Sequence, residues 1–469
     1  NTNALAGAIT LSNLVSGEAL NHSGTATISS ANAGSYTISN LSGISIADGS
    51  GGAASNYTLT GGTHNFTVNR RVVSVQGSKT YDGNTTISTG NITSVTGTVG
   101  SQTLVISGGS GTVSAANVAT YSSAAINEGT LTLGNGANGG LASNYTLTGH
   151  ASSSFQINQR VLNSSGSRIY DGSTTASSSD LTLSNLVGTE TLTLSGNGTL
   201  ANANVATNKS VTLNTLSIAD GSNGGLAANY ILAGGTHNFT VNRRVVGVSG
   251  TRLYDATTNA VASDLSTHTN LVGSQTLNLS GTGTIASKNV GSNKTVSVGT
   301  LALADGSNGG LAANYTLTGG THQLTVNQRP LNATLARQYD GTTASAGSTL
   351  SSFNALQGGE TLTMTGSGTA ASANVANGIT MSSNGNLALA NGTGAASNYS
   401  LNSTVINVTK RVLNSSGSKT YDANTNALAG AITLSNLVSG EALNHSGTAT
   451  ISSANAGSYT ISNLSGISI

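Results

Sequence analysis

Arg243-Arg244-Val245-Val246-Gly247-Val248 leads within a few residues to Arg252-Leu253-Tyr254-Asp255. This stretch recurs along the chain. A basic residue, any residue and then Tyr-Asp stand at Lys79–Asp82, Arg168–Asp171, Arg252–Asp255, Arg337–Asp340 and Lys419–Asp422. The five tyrosines, Tyr81, Tyr170, Tyr254, Tyr339 and Tyr421, are 82 to 89 residues apart. A second signature, Asn-Tyr, falls at Tyr57, Tyr145, Tyr230, Tyr315 and Tyr399. Self-similarity at a fixed long period marks a tandem array. Residues 1–46 are identical to 424–469, so a super-repeat of five units lies above the short one. The chain therefore reads as a window cut from a longer polypeptide.

Within one unit, short runs alternate between apolar and Ser/Thr residues, the period of a half-buried strand. Leu277-Asn278-Leu279, Thr295-Val296-Ser297-Val298 and Gln323 to Asn327 are examples. Asp305-Gly306-Ser307-Asn308-Gly309-Gly310 carries the residues that tolerate positive φ. No stretch keeps a capped helical period. The expected fold is all-β: a tandem array of small β-sandwich-like domains, each of seven or eight strands. The expected boundaries are 1–69 (a partial unit lacking its opening strand), 70–158, 159–242, 243–327, 328–409 and 410–469 (partial).

The junctions carry no Gly/Ser spacer. Phe66-Thr67-Val68-Asn69-Arg70-Arg71-Val72-Val73 and Val326-Asn327-Gln328-Arg329-Pro330-Leu331 run strand into strand. That predicts an elongated rod. A continuous β-solenoid is the alternative, but its coils would repeat every ~20 residues.

Composition narrows function. Among 469 residues there are 62 glycines and no cysteine, and only 7% are charged. The absence of cysteine excludes disulfides and thiolate metal sites. A formal net charge of +1 argues against a nucleic-acid partner. No apolar run reaches the ~18 residues of a membrane span. Thirteen of the sixteen basic residues sit in the Tyr-Asp signature or at the junctions, as Arg70, Arg71, Arg160, Arg243, Arg244, Arg329, Lys410 and Arg411. Their placement is architectural, to pair with the signature Asp or to discourage edge pairing.

In a strand, residues i and i+2 share a face. The signature's basic residue and tyrosine are thus expected together, with Asp82, Asp171, Asp255, Asp340 and Asp422 opposite, capping the following turn. The tyrosine ring should fill core, with its hydroxyl on a buried partner.

Comparison between units argues against catalysis. Glu18, Glu190, Glu360 and Glu441 share one turn position with Gln102 and Gln275. A general acid or base cannot become an amide and keep its role. Asp48, Asp220 and Asp305 alternate with Asn135 and Asn391, which weakens a Ca²⁺ reading. His64, His237 and His322 each lack a ligand partner at fixed spacing. No enzyme activity, cofactor or metal is expected.

The chain resembles the YDG-type repeat domain of large bacterial surface proteins related to filamentous haemagglutinins and other two-partner-secreted adhesins. The resemblance rests on four features: the basic-x-Tyr-Asp-Gly opening; the Gly-x-Glu/Gln-Thr-Leu turn; the Asn-Val segment at Asn117, Asn204, Asn289 and Asn374; and the closing Asn-Tyr-x-Leu. Asp255-Ala256 and Asp422-Ala423 depart from Asp-Gly. The resemblance implies an extracellular stalk or filament on the bacterial surface, with no assigned ligand site. The expected partners are further copies of the chain or a carbohydrate.

Overall fold

A computed structural model describes residues 1–150 and 152–469. Among these residues there is no α-helix, only strands and three-residue 3₁₀ turns. The chain divides into two bodies, Asn1–Asn242 and Arg243–Ile469, each a succession of similar β units.

The unit spanning 159–242 illustrates the plan. Its eight strands of three or more residues match the expected number. They are Asn163–Ile169, Thr175–Ser177, Leu181–Ser184, Leu192–Ser195, Asn197–Leu200, Ala206–Thr212, Ser217–Asp220 and His237–Asn242. Six form one sheet in the order 175–177, 197–200, 206–212, 237–242, 163–169, 181–184. Leu192–Ser195 and Ser217–Asp220 form a separate antiparallel pair.

The centre of the sheet departs from an ordinary antiparallel sandwich. The opening strand Asn163–Ile169 lies parallel to the closing strand His237–Asn242, with Ser164 opposite His237 and Ile169 opposite Asn242. A shorter parallel contact, Arg160 opposite Tyr230 and Val161 opposite Ile231, precedes it. Each unit thereby closes on itself. A solenoid would pair neighbouring coils, so the tandem-domain reading is the one observed. The parallel pair escaped the sequence reading because strand pattern carries no direction.

Alternation builds the core. On the closing strand His237, Phe239 and Val241 point inward, while Asn238 and Thr240 lie at intermediate depth. Polar residues, Thr and Ser among them, occupy the outward positions of strands such as Ala206–Thr212 and Gly291–Ser297. In 328–409 the inner face is more aliphatic, with Leu335, Met364, Ile406 and Val408 at 4% exposure or less.

The linker-free junction is observed. Only Gln159 separates the closing strand Ser154–Asn158 from Arg160–Val161, and only Gln328 separates His322–Asn327 from Arg329–Gln338. The first 69 residues form a five-stranded sheet in the order 3–5, 21–28, 34–40, 65–68, with 44–47 paired to 21–28.

Candidate functional site: the junction between successive units

Two of the signature tyrosines meet at one carboxylate. Tyr81, from one unit, donates to Glu190 Oε1 at 2.6 Å. Tyr230, from the next, donates to Glu190 Oε2 at 2.7 Å. Their rings pack edge to face, 5.3 Å between centroids and 79° between planes. The arrangement recurs with Tyr254 and Tyr399 on Glu360, at 2.6 and 2.9 Å, with rings 5.3 Å apart at 77°. Tyr339 likewise donates to Glu441. The Tyr230 hydroxyl also accepts from the Val187 amide at 3.0 Å, and Tyr399 from Gln357 at 3.1 Å. One turn thus binds a tyrosine twice.

The expected buried hydroxyl partner is therefore the Glu/Gln turn position. Its exchange for glutamine has a physical reason. Tyr145 and Tyr315 donate to the side-chain oxygens of Gln102 and Gln275, which accept as a carboxylate does. Tyr57 donates to Glu18.

Burial sets the electrostatics. Desolvation, then the bond to Glu190, pushes the Tyr230 hydroxyl up to about 12 and Tyr81 higher still. Tyr399 is pushed up to about 12 by burial and Glu360. Burial alone would raise the Glu360 carboxyl. Lys288, 2.7 Å away, and the two tyrosines outweigh it and hold the group below its usual range. Both hydroxyls therefore stay protonated donors and the carboxylate stays an acceptor at neutral pH. Nothing in this set is poised for proton transfer.

The Asn beside the second tyrosine is a further cross-unit contact. Asn229, 1% exposed, accepts from the Val118 amide at 2.9 Å and donates to Asn117 Oδ1 at 3.1 Å. Asn398 does the same to Val290 and Asn289, and Asn144 to Ala33 and Asn32. The Asn-Val signature and the Asn-Tyr signature are thus two halves of one contact.

The junction arginines bind carbonyls. Arg160 donates to Asn185 O at 2.7 Å and reaches Tyr81 O of the preceding unit at 3.4 Å. Arg329 reaches Ala355 O and Tyr254 O, and Arg411 reaches Asn436 O and Tyr339 O. Arg71 and Arg244 donate to Gly97 O and Asn270 O. Arg70, Arg243 and Lys410, one position earlier, are exposed. The eight junction residues thus split by register into clamps and solvent-facing charges.

Sequence reasoning missed the acceptor of these arginines. Asn185, Asn270 and Asn436 adopt φ of 65–72° and return a side-chain bond to the carbonyl of Val161, Val245 or Val412. Asn tolerates this left-handed conformation best among non-glycine residues. Gly97 and Ala355 take the position in the other two units. The recurring Asn-Leu-Val ahead of the Glu/Gln turn was the available signal.

One expectation is corrected. The signature's Asp does not lie opposite its basic residue; the two lie together, as the pairing reading of the basic residues expects. The opening strands end at Thr80 and Ile169, so alternation stops before the tyrosine. Lys79 sits 2.9 Å from Asp82, Arg168 3.3 Å from Asp171, Arg252 2.9 Å from Asp255 and Lys419 2.9 Å from Asp422; Arg337 pairs with Asp340. Each Asp also accepts the amide two residues on, as at Thr257 (2.9 Å), so the expected turn cap is present. Ala256 and Ala423 hold φ of 63° and 62° where Gly83 and Gly172 hold 77° and 79°. The turn therefore survives the loss of glycine.

The Asp/Asn loop position is a cap as well. Asp220 and Asp305 accept from Ala227 and Ala312 at 2.7 Å, and Asn135 and Asn391 from Ala142 and Ala396 at 2.8 Å. One oxygen suffices, which is why the amide substitutes. His237 and His322 face the Leu232 and Leu317 carbonyls at 2.8 and 2.9 Å; they stabilise a turn.

The apolar core crosses the junction too. Tyr81, Phe155 and Ile157 of one unit join Leu162, Tyr230 and Leu232 of the next in one buried cluster.

The YDG domain matches five consecutive stretches, residues 67–154, 157–237, 240–324, 322–406 and 408–469. No curated protein matches the chain.

Proposed function

We propose, from the premise that this chain belongs to the YDG domain family, that it is a stalk or filament segment of a large repetitive bacterial surface adhesin. At the coarser level it is a repetitive structural or binding module built from tandem all-β units. One observation carries the stalk reading: within each body, recurring signature residues hold one unit against the next. Tyr81, Tyr230, Glu190 and Asn229 all face the junction. A module recognising an external ligand would instead present its recurring aromatics to solvent. We assign no catalytic role and no cofactor.

The reading places the chain outside the cell, on its surface. Trypsin applied to intact, washed cells that make the protein tests this. The exposed basic residues Arg70, Arg243 and Lys410 offer cleavage points at the junctions. Release of array fragments ending at these residues, before any cytosolic marker, is the expected result. Fragments that appear only after lysis would overturn it. Carbohydrate binding is the second reading, and lateral association of copies through sheet edges the third.

A further inference from the structure

Each complete unit places its first and last strands side by side and parallel, at the centre of its sheet. In 159–242 the pair is Asn163–Ile169 with His237–Asn242. In 70–158 it is Ser74–Thr80 with Ser154–Asn158, and in 243–327 Gly247–Leu253 with His322–Asn327. In 328–409 the ladder runs from Arg329 opposite Tyr399 to Gln338 opposite Thr409. The amide of the signature tyrosine adds one more bond at the far end, Tyr81 to Asn158 O at 2.9 Å and Tyr254 to Asn327 O at 2.9 Å.

This topology fixes how tension enters a unit. The chain arrives at the start of the opening strand and leaves at the end of the closing strand. In a parallel pair those points lie at opposite ends of the ladder. Pulling on them slides the strands past each other along their own axis. The evenly spaced bonds of a parallel ladder then bear load together. Pulling from the same end would break them one at a time.

Two further features protect the ladder. Neighbouring strands flank it on both sides: Ala206–Thr212 beside the closing strand and Leu181–Ser184 beside the opening one. Ser164, Phe239 and Val241 along it are at most 4% exposed, so water cannot readily replace a strained bond. Between ladders the chain has almost no slack, since Gln159 or Gln328 alone separates one unit's closing strand from the next unit's first paired residues.

We propose that the central parallel pair is a shear clamp, and that this chain is a load-bearing tether. The biological use rests on the stalk reading. The mechanical property does not, so a chain found inside the cell could still resist force, and a surface chain could still be weak.

Single-molecule pulling on the full chain tests it, because forced unfolding reports the unfolding barrier. The chain contains no cysteine, so introduced thiols attach uniquely. One arm holds the chain by its termini. The other holds a V161C/T236C variant through those two exposed positions, both at the start of the ladder, where force peels the strands. The homologous V245C/T321C variant repeats the second arm in another unit. The expected result is unfolding through the termini at several times the peeling force, each event releasing roughly 290 Å of chain. Equal forces in the two geometries, or a weaker response through the termini, would overturn the clamp.

Discussion

Tyr254→Ala is expected to destabilise the second body by about 3–5 kcal/mol, the range for removing a large buried ring. Tyr254 is fully buried, packs against Tyr399 and bonds Glu360 at 2.6 Å. Alanine leaves a cavity at the contact between two units. It also takes a donor from a carboxylate whose side chain is 9% exposed. Tyr254→Phe isolates the second effect. Glu360 then keeps Lys288 and Tyr399, so the expected loss is only about 1–2 kcal/mol. Urea denaturation measures both. A loss below about 1 kcal/mol for the alanine variant would mean that the ring is incidental to the junction.

The second large effect is expected at Gly250. A Cβ there would lie 1.8 Å from the Asp264 carbonyl oxygen and 2.8 Å from its carbon, both backbone atoms. The obstacle is space, since Gly250 does not adopt a positive φ. Gly166 meets Asp180 O at 2.0 Å and Gly417 meets Ala431 O at 2.1 Å, so the close approach of opening strand and 3₁₀ turn is shared. Gly250→Ala should cost about 3 kcal/mol or more, because the backbone must move. Gly90→Ala, where nothing lies within 4 Å, is the matched control and should stay within about 0.5 kcal/mol. Equal effects in the two variants would refute the close-approach explanation.

How far the sequence reached follows from what each residue encodes. Strand number and turn positions were legible, because alternation and Asp/Asn/Gly loops are local signals. The tandem organisation was legible from Tyr81, Tyr170, Tyr254, Tyr339 and Tyr421. Two things were not. The parallel pairing of Asn163–Ile169 with His237–Asn242 joins strands far apart in sequence, and neither strand records its partner. The junction site joins Tyr81 of one unit to Glu190 of the next, a separation of 109 residues that exceeds the repeat itself. Each unit read alone shows a tyrosine, an Asn-Tyr and a Glu/Gln turn as separate features. Only stacking makes them one site. The face assigned to the signature Asp failed for a local reason: the strand ends one residue before the tyrosine.

The junction contacts also explain how such small units persist. A domain of this size buries only about 60% of its unfolded surface and is marginal alone. Repeat arrays add nearest-neighbour terms to that intrinsic stability. Here the term is specific: two rings, a shared carboxylate, the Asn229 contacts at Val118 and Asn117, and a shared apolar cluster.

The most direct test compares residues 159–242 alone with residues 70–242, following the melting of the shared unit. The contacts above predict that the preceding unit raises its midpoint by at least ~10 °C, since each 1 kcal/mol shifts a domain of this size by roughly 4–8 °C. Glu190→Ala should cost the longer chain more than the shorter one, because the longer chain loses the bonds to both Tyr81 and Tyr230 and the shorter one only the bond to Tyr230. If both lengths melt at the same temperature, the signature residues do not hold the units together, and the account fails.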